Sequence, residues 1–305
     1  MSSITLKKKS SKDLLKLLSK NKGIYILILP ALIYFAVFSY FPIVNGFIMS
    51  LQHYSIGGEH TFAGLAHYRE ILTDIDFWRA FRNTLQIGGG NLIVGFIMQV
   101  LLALLLNEIT HKRFKKLTQT IIYTPNLFSW VAIGGIWISL LAPDTGMVNE
   151  IIKWFGMEPI NFMTNVKIIQ PVFIFLNTWK SAGYGCIIFL AAITGIDKNL
   201  YEAAAIDGAS RFKQTLYITI PGLYSTMKVV FMLNLISVLR MFSQSYVLTN
   251  YAVIDKTQVA MTYTYSMGIE NFRMDYGSAI AFIMLLFTSV FVLIYQMFVR
   301  KKEVD

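Results

Sequence analysis

The 305 residues are 55% hydrophobic with a mean hydropathy of +0.55 and only 14% charged, against about 25% charged in soluble globular proteins, so the chain needs lipid to cover its apolar side chains. Its net charge of +10 does not point to nucleic acid, because the lysines cluster beside apolar runs and no basic face carries interleaved stacking aromatics. The single cysteine, Cys186, excludes an intrachain disulfide and reads as a small buried hydrophobe within an apolar stretch.

In chain order, residues 1–23 form a basic segment with Lys7, Lys8 and Lys9 followed by Asp13-Leu14-Leu15-Lys16-Leu17-Leu18, the pattern of a short amphipathic helix lying on an anionic membrane surface. The apolar run that follows, 24–51, has no small-residue cleavage site and is expected to stay as a first span rather than be removed as a signal. Further runs near 84–107, 120–142, 168–194, 223–248 and 278–299 bring the expected spans to six. Each is long enough for a helix to cross a hydrocarbon core of about 30 Å at a rise of about 1.5 Å per residue. None shows the polar and apolar alternation of a barrel strand, and a helix satisfies its own backbone in lipid. The fold class expected is therefore an all-α membrane protein.

Lysine and arginine set the orientation. Lys7 to Lys22, the group Lys112, Arg113, Lys115 and Lys116, the group Lys198, Arg211 and Lys213, and Arg300 to Lys302 all fall on one side if the N-terminus is inside. The positive-inside rule then places both termini in the cytoplasm, with 298–305 as a cytoplasmic tail. Outer loops at about 52–83, 143–167 and 249–277 are polar, acidic and too short to be domains of ordinary size. Gly88, Gly89, Gly90, Gly95, Gly134, Gly135, Gly183 and Gly185 punctuate the second to fourth spans and let helix backbones approach closely. In the first outer loop His53, His60 and His67 recur every seven residues, but Gly57-Gly58 interrupts any helix that would align them, so no metal site is expected.

Two charges lie inside the expected spans, Lys180 and Arg240, each costing about 2.5–3.5 kcal/mol if placed centrally against lipid. One reading puts Asn177, Trp179, Lys180 and Tyr184 along a translocation cavity lined by aromatic faces and polar groups, with Arg240 and Gln244 nearer the outer face. The other pairs Lys180 with a carboxylate or carbonyl of a partner subunit. All acidic residues fall outside the spans, which argues against an ion-coupled secondary transporter.

Between the fourth and fifth spans, Glu202 to Ile206 are good helix formers, Asp207-Gly208 is a turn dipeptide, and an apolar pattern resumes from Phe212 and ends at Pro221-Gly222. Small alanines with charges at the rim suit a docking element, although an ordinary helical loop would read the same by periodicity. The spacing Glu202-Ala203-Ala204, three residues, Gly208, nine residues, Ile218, one residue, Ile220, Pro221 resembles the signature of ABC importer permeases, with Ile220 in place of the usual leucine.

That resemblance implies a coupling helix in which Glu202, Ala203, Ala204, Asp207, Gly208, Arg211, Ile218 and Pro221 contact an ATP-binding cassette subunit. It covers a permease core at 81–297, opened by Phe81-Arg82-Asn83-Thr84-Leu85 and including Tyr276-Gly277-Ser278-Ala279. With Ile28-Leu29-Pro30-Ala31 these strings look like the maltose-type carbohydrate importers, while importers of amino acids, phosphate or peptides share the main signature. The chain has no Gly-x-x-x-x-Gly-Lys-Ser/Thr phosphate loop, so ATP and Mg are expected on partner ATPase chains, and this chain is not expected to be an enzyme. The resemblance further implies a second permease subunit, an extracytoplasmic solute-binding protein, a carbohydrate cargo, and a place in a bacterial cytoplasmic membrane, with alternating access as the mechanism.

Overall fold

The computed structural model describes residues 22–55 and 57–304. The amphipathic segment expected at 1–23 lies, apart from Lys22 and Gly23, outside the described residues. Helices carry almost all of the regular structure. They are α1 (Lys22–Ser50), α2 (Ala66–Thr73), α3 (Ile75–Glu108), α4 (Lys112–Leu127), α5 (Trp130–Leu140), α6 (Met147–Trp154) and α7 (Ile169–Thr194). After these come α8 (Lys198–Ile206), α9 (Arg211–Gly222), α10 (Tyr224–Leu239), α11 (Ser243–Leu248), α12 (Ile254–Thr257), α13 (Ala260–Tyr265) and α14 (Met274–Val304). Two strands of two residues each, β1 (Gln52–His53) and β2 (Thr61–Phe62), pair antiparallel in the first loop as a short hairpin.

Four helices, α1, α3, α7 and α14, are long and apolar enough to cross a membrane unbroken. Two bent pairs, α4 with α5 at 101° and α9 with α10 at 62°, are together apolar enough for one broken span each, so the described residues offer four to six spans against the six expected. The run 120–142 is thus not one straight helix. At its break Phe128 is extended, and Ser129 Oγ accepts from Ala132 N–H at 3.3 Å, capping α5 in a new direction. The run 223–248 likewise ends early, at Leu239, and α11 is a separate short helix beyond Arg240–Phe242.

Proline shapes two of the spans in the same way. Ahead of Pro42 the backbone of α1 widens into a π turn at Ala36–Tyr40, where Phe41 N–H reaches Ala36 O. Ahead of Pro221, α9 does so at Thr215–Thr219, where Ile220 N–H reaches Thr215 O. A proline has no N–H to give the preceding turn, and one wide turn absorbs that loss.

Packing centres on α3 and α7, which lie side by side, with α4 against α7, α10 against α3, and α14 against the end of α1. Gly183 sets the α4–α7 approach, since a β-carbon there would lie 2.2 Å from the carbonyl oxygen of Ile122. Three apolar clusters result. One, around Phe77, Ile280 and Tyr276, joins α2, α3, α13 and α14; a second, around Ile87, Phe173 and Leu248, joins α3, α7 and α11; a third, around Leu106, Phe189 and Leu223, joins α3, α7 and the start of α10.

Polar locks hold the loops. Asn149 on α6 is fully buried, donates to the carbonyls of Leu141, Ala142 and Ile160, and accepts from Ile160 N–H at 2.8 Å, folding 141–160 onto itself. Asp74 caps α3 through Asp76 and Phe77 N–H and also accepts from the hydroxyls of Tyr263 and Tyr276. Partial burial opposes its ionisation, but those hydroxyl and backbone donors outweigh it and hold the carboxyl below its ordinary value.

Candidate functional site

Between the apolar clusters a cavity of about 390 Å³ opens among α3, α7 and α10. From α3 come Asn91 and Gln99; from α7, Asn177, Ser181 and Tyr184, spaced to share one face; and from α10, Asn234 and Ser237. Trp130 at the start of α5 and Phe242 to Gln244 after α10 complete the wall. Both spans that break or end early therefore contribute their irregular ends to it, which is where non-helical backbone is tolerated at membrane depth.

The lining is amide, hydroxyl and aromatic. Gln99 Oε1 accepts from Asn234 Nδ2 at 3.3 Å, and Gln244 Nε2 donates to Phe173 O at 2.6 Å. Two acceptors stay unused, since Asn91 Oδ1 and Gln244 Oε1 are buried and have no hydrogen-bond partner among the described residues. A buried acceptor without a donor is costly, and a bound molecule carrying an O–H or N–H group would supply one.

The sequence-derived lining set divides. Asn177, Tyr184 and Gln244 line the cavity, whereas Trp179 does not; it faces an apolar groove with Ile174 and Phe175 and meets Trp137 edge-on at 5.3 Å. Lys180 stands behind the wall. Its Nζ donates to Asn126 O at 3.3 Å and lies 5.7 Å from the ring centre of Trp130. Asn126 belongs to the last turn of α4, whose carbonyls have no partner further along the helix, so the ammonium serves the negative end of the broken span. That carbonyl is in this chain rather than in a partner subunit. Arg240 sits exposed at the end of α10, next in sequence to cavity residues, and makes no ion pair among the described residues. Asn91, Gln99, Asn234 and Ser237 were not singled out from the sequence; the signal available was their polarity within apolar runs.

The second feature is the loop after α7. Asp197 accepts from Asn199 N–H at 3.0 Å to start α8. The helix closes with Gly208 at φ +78°, where Ala209 N–H reaches Ala204 O at 2.8 Å and Gly208 N–H reaches Ala205 O at 3.1 Å, a paired C-terminal closure that favours glycine at this position. Ser210 then caps α9, and Tyr201 is tied to Thr219 by a 2.9 Å hydroxyl contact, so α8 is held against α9. Glu202, Ala203, Asp207, Gly208 and Arg211 are exposed on this protrusion, while Ala204 is half-buried. Ile218 and Pro221 belong to the π turn and its end, so they shape the return into the bundle. Ile206 and Phe212, not chosen from the sequence, are 87% and 76% exposed and give the protrusion an apolar surface suited to a partner.

Comparisons with known proteins agree with this architecture. Residues 93–304 match the family described as binding-protein-dependent transport system inner membrane component. The chain is 38% identical over 283 residues to the polygalacturonan/rhamnogalacturonan transport system permease protein YteP of Bacillus subtilis (strain 168), covering 91% of this chain and 87% of that protein. It is 33% identical over 270 residues to the arabinooligosaccharides transport system permease protein AraP of the same organism, covering 88% and 85%. A chain in the crystal structure of a bacterial alginate ABC transporter, in complex with alginate pentasaccharide-bound periplasmic protein, superposes with a TM-score of 0.87 at 32% identity over 94% of this chain and 96% of that one. The all-helical fold, the apolar spans and these matches together place the chain in the family of binding-protein-dependent transport system inner membrane components, the membrane-spanning and non-enzymatic permease subunits of ABC transporters.

Proposed function

We propose that this permease imports an oligosaccharide by alternating access, driven by separate ATPase subunits that carry the ATP and Mg. The observation that carries the cargo class is the cavity: amides, hydroxyls and aromatic faces, two buried acceptors without donors, and no carboxylate or cation among its lining residues. Hydroxyl groups on rings satisfy such a lining, and aromatic side chains at Trp130, Tyr184 and Phe242 offer flat surfaces to sugar faces. The names of similar proteins, for polygalacturonan/rhamnogalacturonan, arabinooligosaccharides and alginate, support a cargo of several sugar units.

In this reading both termini face the cytoplasm, and the protrusion from Glu202 to Pro221 seats Ile206 and Phe212 in a groove of an ATP-binding cassette subunit. Closure of the ATPase pair moves α8, and the Tyr201–Thr219 tie passes that movement to α9. The bends at α4–α5 and α9–α10 give the bundle two places to pivot around the cavity. A second permease supplies the facing half of the path, and a solute-binding protein delivers cargo at the outer loops.

The test is uptake of labelled oligosaccharides into proteoliposomes holding the complete complex. Asn91→Leu removes an unused acceptor and lowers uptake while leaving ATP hydrolysis without cargo intact; Glu202→Lys separates hydrolysis from uptake. Equal uptake by wild type and Asn91→Leu would remove the cavity from the cargo path.

A further inference from the structure

The expectation that no metal binds near His53, His60 and His67 rested on the absence of a continuous helix through them. The chain brings two of the three together by another route. Strand β1 carries His53, α2 carries His67, and the rings meet edge-on with centres 5.1 Å apart, while His60 stacks on Tyr54. Asp275, at the start of α14, joins them, and one ligand atom from each of His53, His67 and Asp275 lies within 4.8 Å of the others. His67 and Asp275 are buried and His53 is exposed, so an ion has a solvent-side entrance and two fixed ligands.

We infer that His53, His67 and Asp275 form a site for a divalent transition ion of the zinc type, which fastens the hairpin after the first span to the start of the last span. The donor set of two imidazoles and a carboxylate suits zinc, with a fourth position left for water. His67 Nε2 and Asp275 Oδ2 are 3.4 Å apart, close to the ~3.3 Å edge of a tetrahedron with ligands at about 2.0–2.1 Å. His53, on an exposed hairpin, needs only a small movement to complete the third corner.

The surroundings suit the same ion. Coordination through His67 Nε2 replaces the proton that this nitrogen otherwise directs at Gln52 O, 3.1 Å away, and leaves Nδ1 as the N–H donor. Nδ1 then faces Glu70 Oε2 at 4.0 Å, too long for a hydrogen bond as it stands, and Arg273 holds that carboxylate at 2.8 Å; a small shift of Glu70 would be needed to make it the outer carboxylate partner of the ring. Asp275 is oriented by Tyr276 N–H on Oδ1 at 2.7 Å and by Tyr54 N–H on Oδ2 at 3.1 Å, leaving capacity on Oδ2 for an ion.

The experiment uses the full-length chain in its assembled complex, purified without a histidine tag, stripped with chelator and titrated with Zn²⁺ and then Co²⁺. Wild type is expected to bind one equivalent more than His53→Ala, whose affinity at this site falls at least about a hundredfold, beyond the 10–100-fold cost of losing an outer partner alone. His53→Cys should restore binding and add thiolate-to-cobalt charge-transfer absorption that no structural role of His53 would produce. Because His53 is exposed, both variants keep the fold, which the elution profile of the complex verifies. Equal metal content in wild type and His53→Ala, or a His53→Cys cobalt spectrum without the thiolate band, overturns the inference.

Discussion

Replacing Gly208 tests whether the closure of α8 is built on a left-handed backbone. A β-carbon at this position would find no atom within 4 Å, so steric clash with neighbours is absent and only the backbone conformation at φ +78° matters. An L-residue pays about 1–2 kcal/mol there, while replacing glycine recovers about 0.4–1 kcal/mol by restricting the unfolded chain. The net destabilisation of the closure for Gly208→Ala is about 1 kcal/mol, which corresponds to roughly fivefold more frequent opening. The reporter is the Ala209 amide, whose hydrogen bond to Ala204 O exists only when the turn is closed. Hydrogen exchange at that amide should accelerate about fivefold in Gly208→Ala and much less in Gly208→Asn, because asparagine tolerates the left-handed region. ATP-driven uptake should follow the same order, with Gly208→Asn the better tolerated. Unchanged exchange in Gly208→Ala, or equal acceleration in Ala and Asn variants, would refute the reasoning.

Three further outcomes follow from the packing and the outer locks. Gly183→Ala forces a methyl group to within 2.2 Å of Ile122 O, a backbone atom, and should cost about 1–3 kcal/mol in thermal unfolding of the purified complex, while Gly135→Ala, which meets nothing within 4 Å, should be near neutral. Asn149→Ala leaves three carbonyls and one N–H around 141–160 without that partner; a loss of about 3 kcal/mol and faster proteolytic cleavage in this loop are expected. For Asp74 the sign follows from its depressed folded value relative to an ordinary 3.8: its stabilising contribution is complete above that pH and is lost as pH falls through the lower folded value. The gap in melting temperature between wild type and Asp74→Asn should therefore stay constant from about pH 8 to 5 and close below about pH 4, whereas a gap that narrows near neutrality would contradict the assignment.

Hydropathy made the membrane class and the approximate place of each apolar run legible, because lipid demands long uninterrupted apolar stretches. It could not show that 120–142 breaks, since Phe128-Ser129 is as compatible with a helix as with a corner; the corner depends on Ser129 capping α5 and Lys180 meeting Asn126 O. The same tertiary contact explains why Lys180, expected to face a polar interior, does not itself line the cavity. Asn177 and Tyr184 were legible as polar positions on one helical face, but Asn91 and Asn234 lie on other helices, and only packing brings them to that face. The turn at Gly208 was legible from Asp-Gly. Exposure of Ile206 and Phe212 was not, because an apolar side chain in a short loop reads as buried until the neighbours are placed.

On the proposed function, a separate nucleotide-hydrolysing motor would drive this bundle through the segment Glu202 to Pro221 and move saccharide through the polar cavity. The most direct measurement is saccharide accumulation in proteoliposomes containing the complete complex and the solute-binding protein, with ATP supplied only on the side bearing Glu202. Accumulation that requires that ATP and disappears in Glu202→Lys is the predicted result. Accumulation driven by an ion gradient without nucleotide, or undiminished in Glu202→Lys, would contradict it.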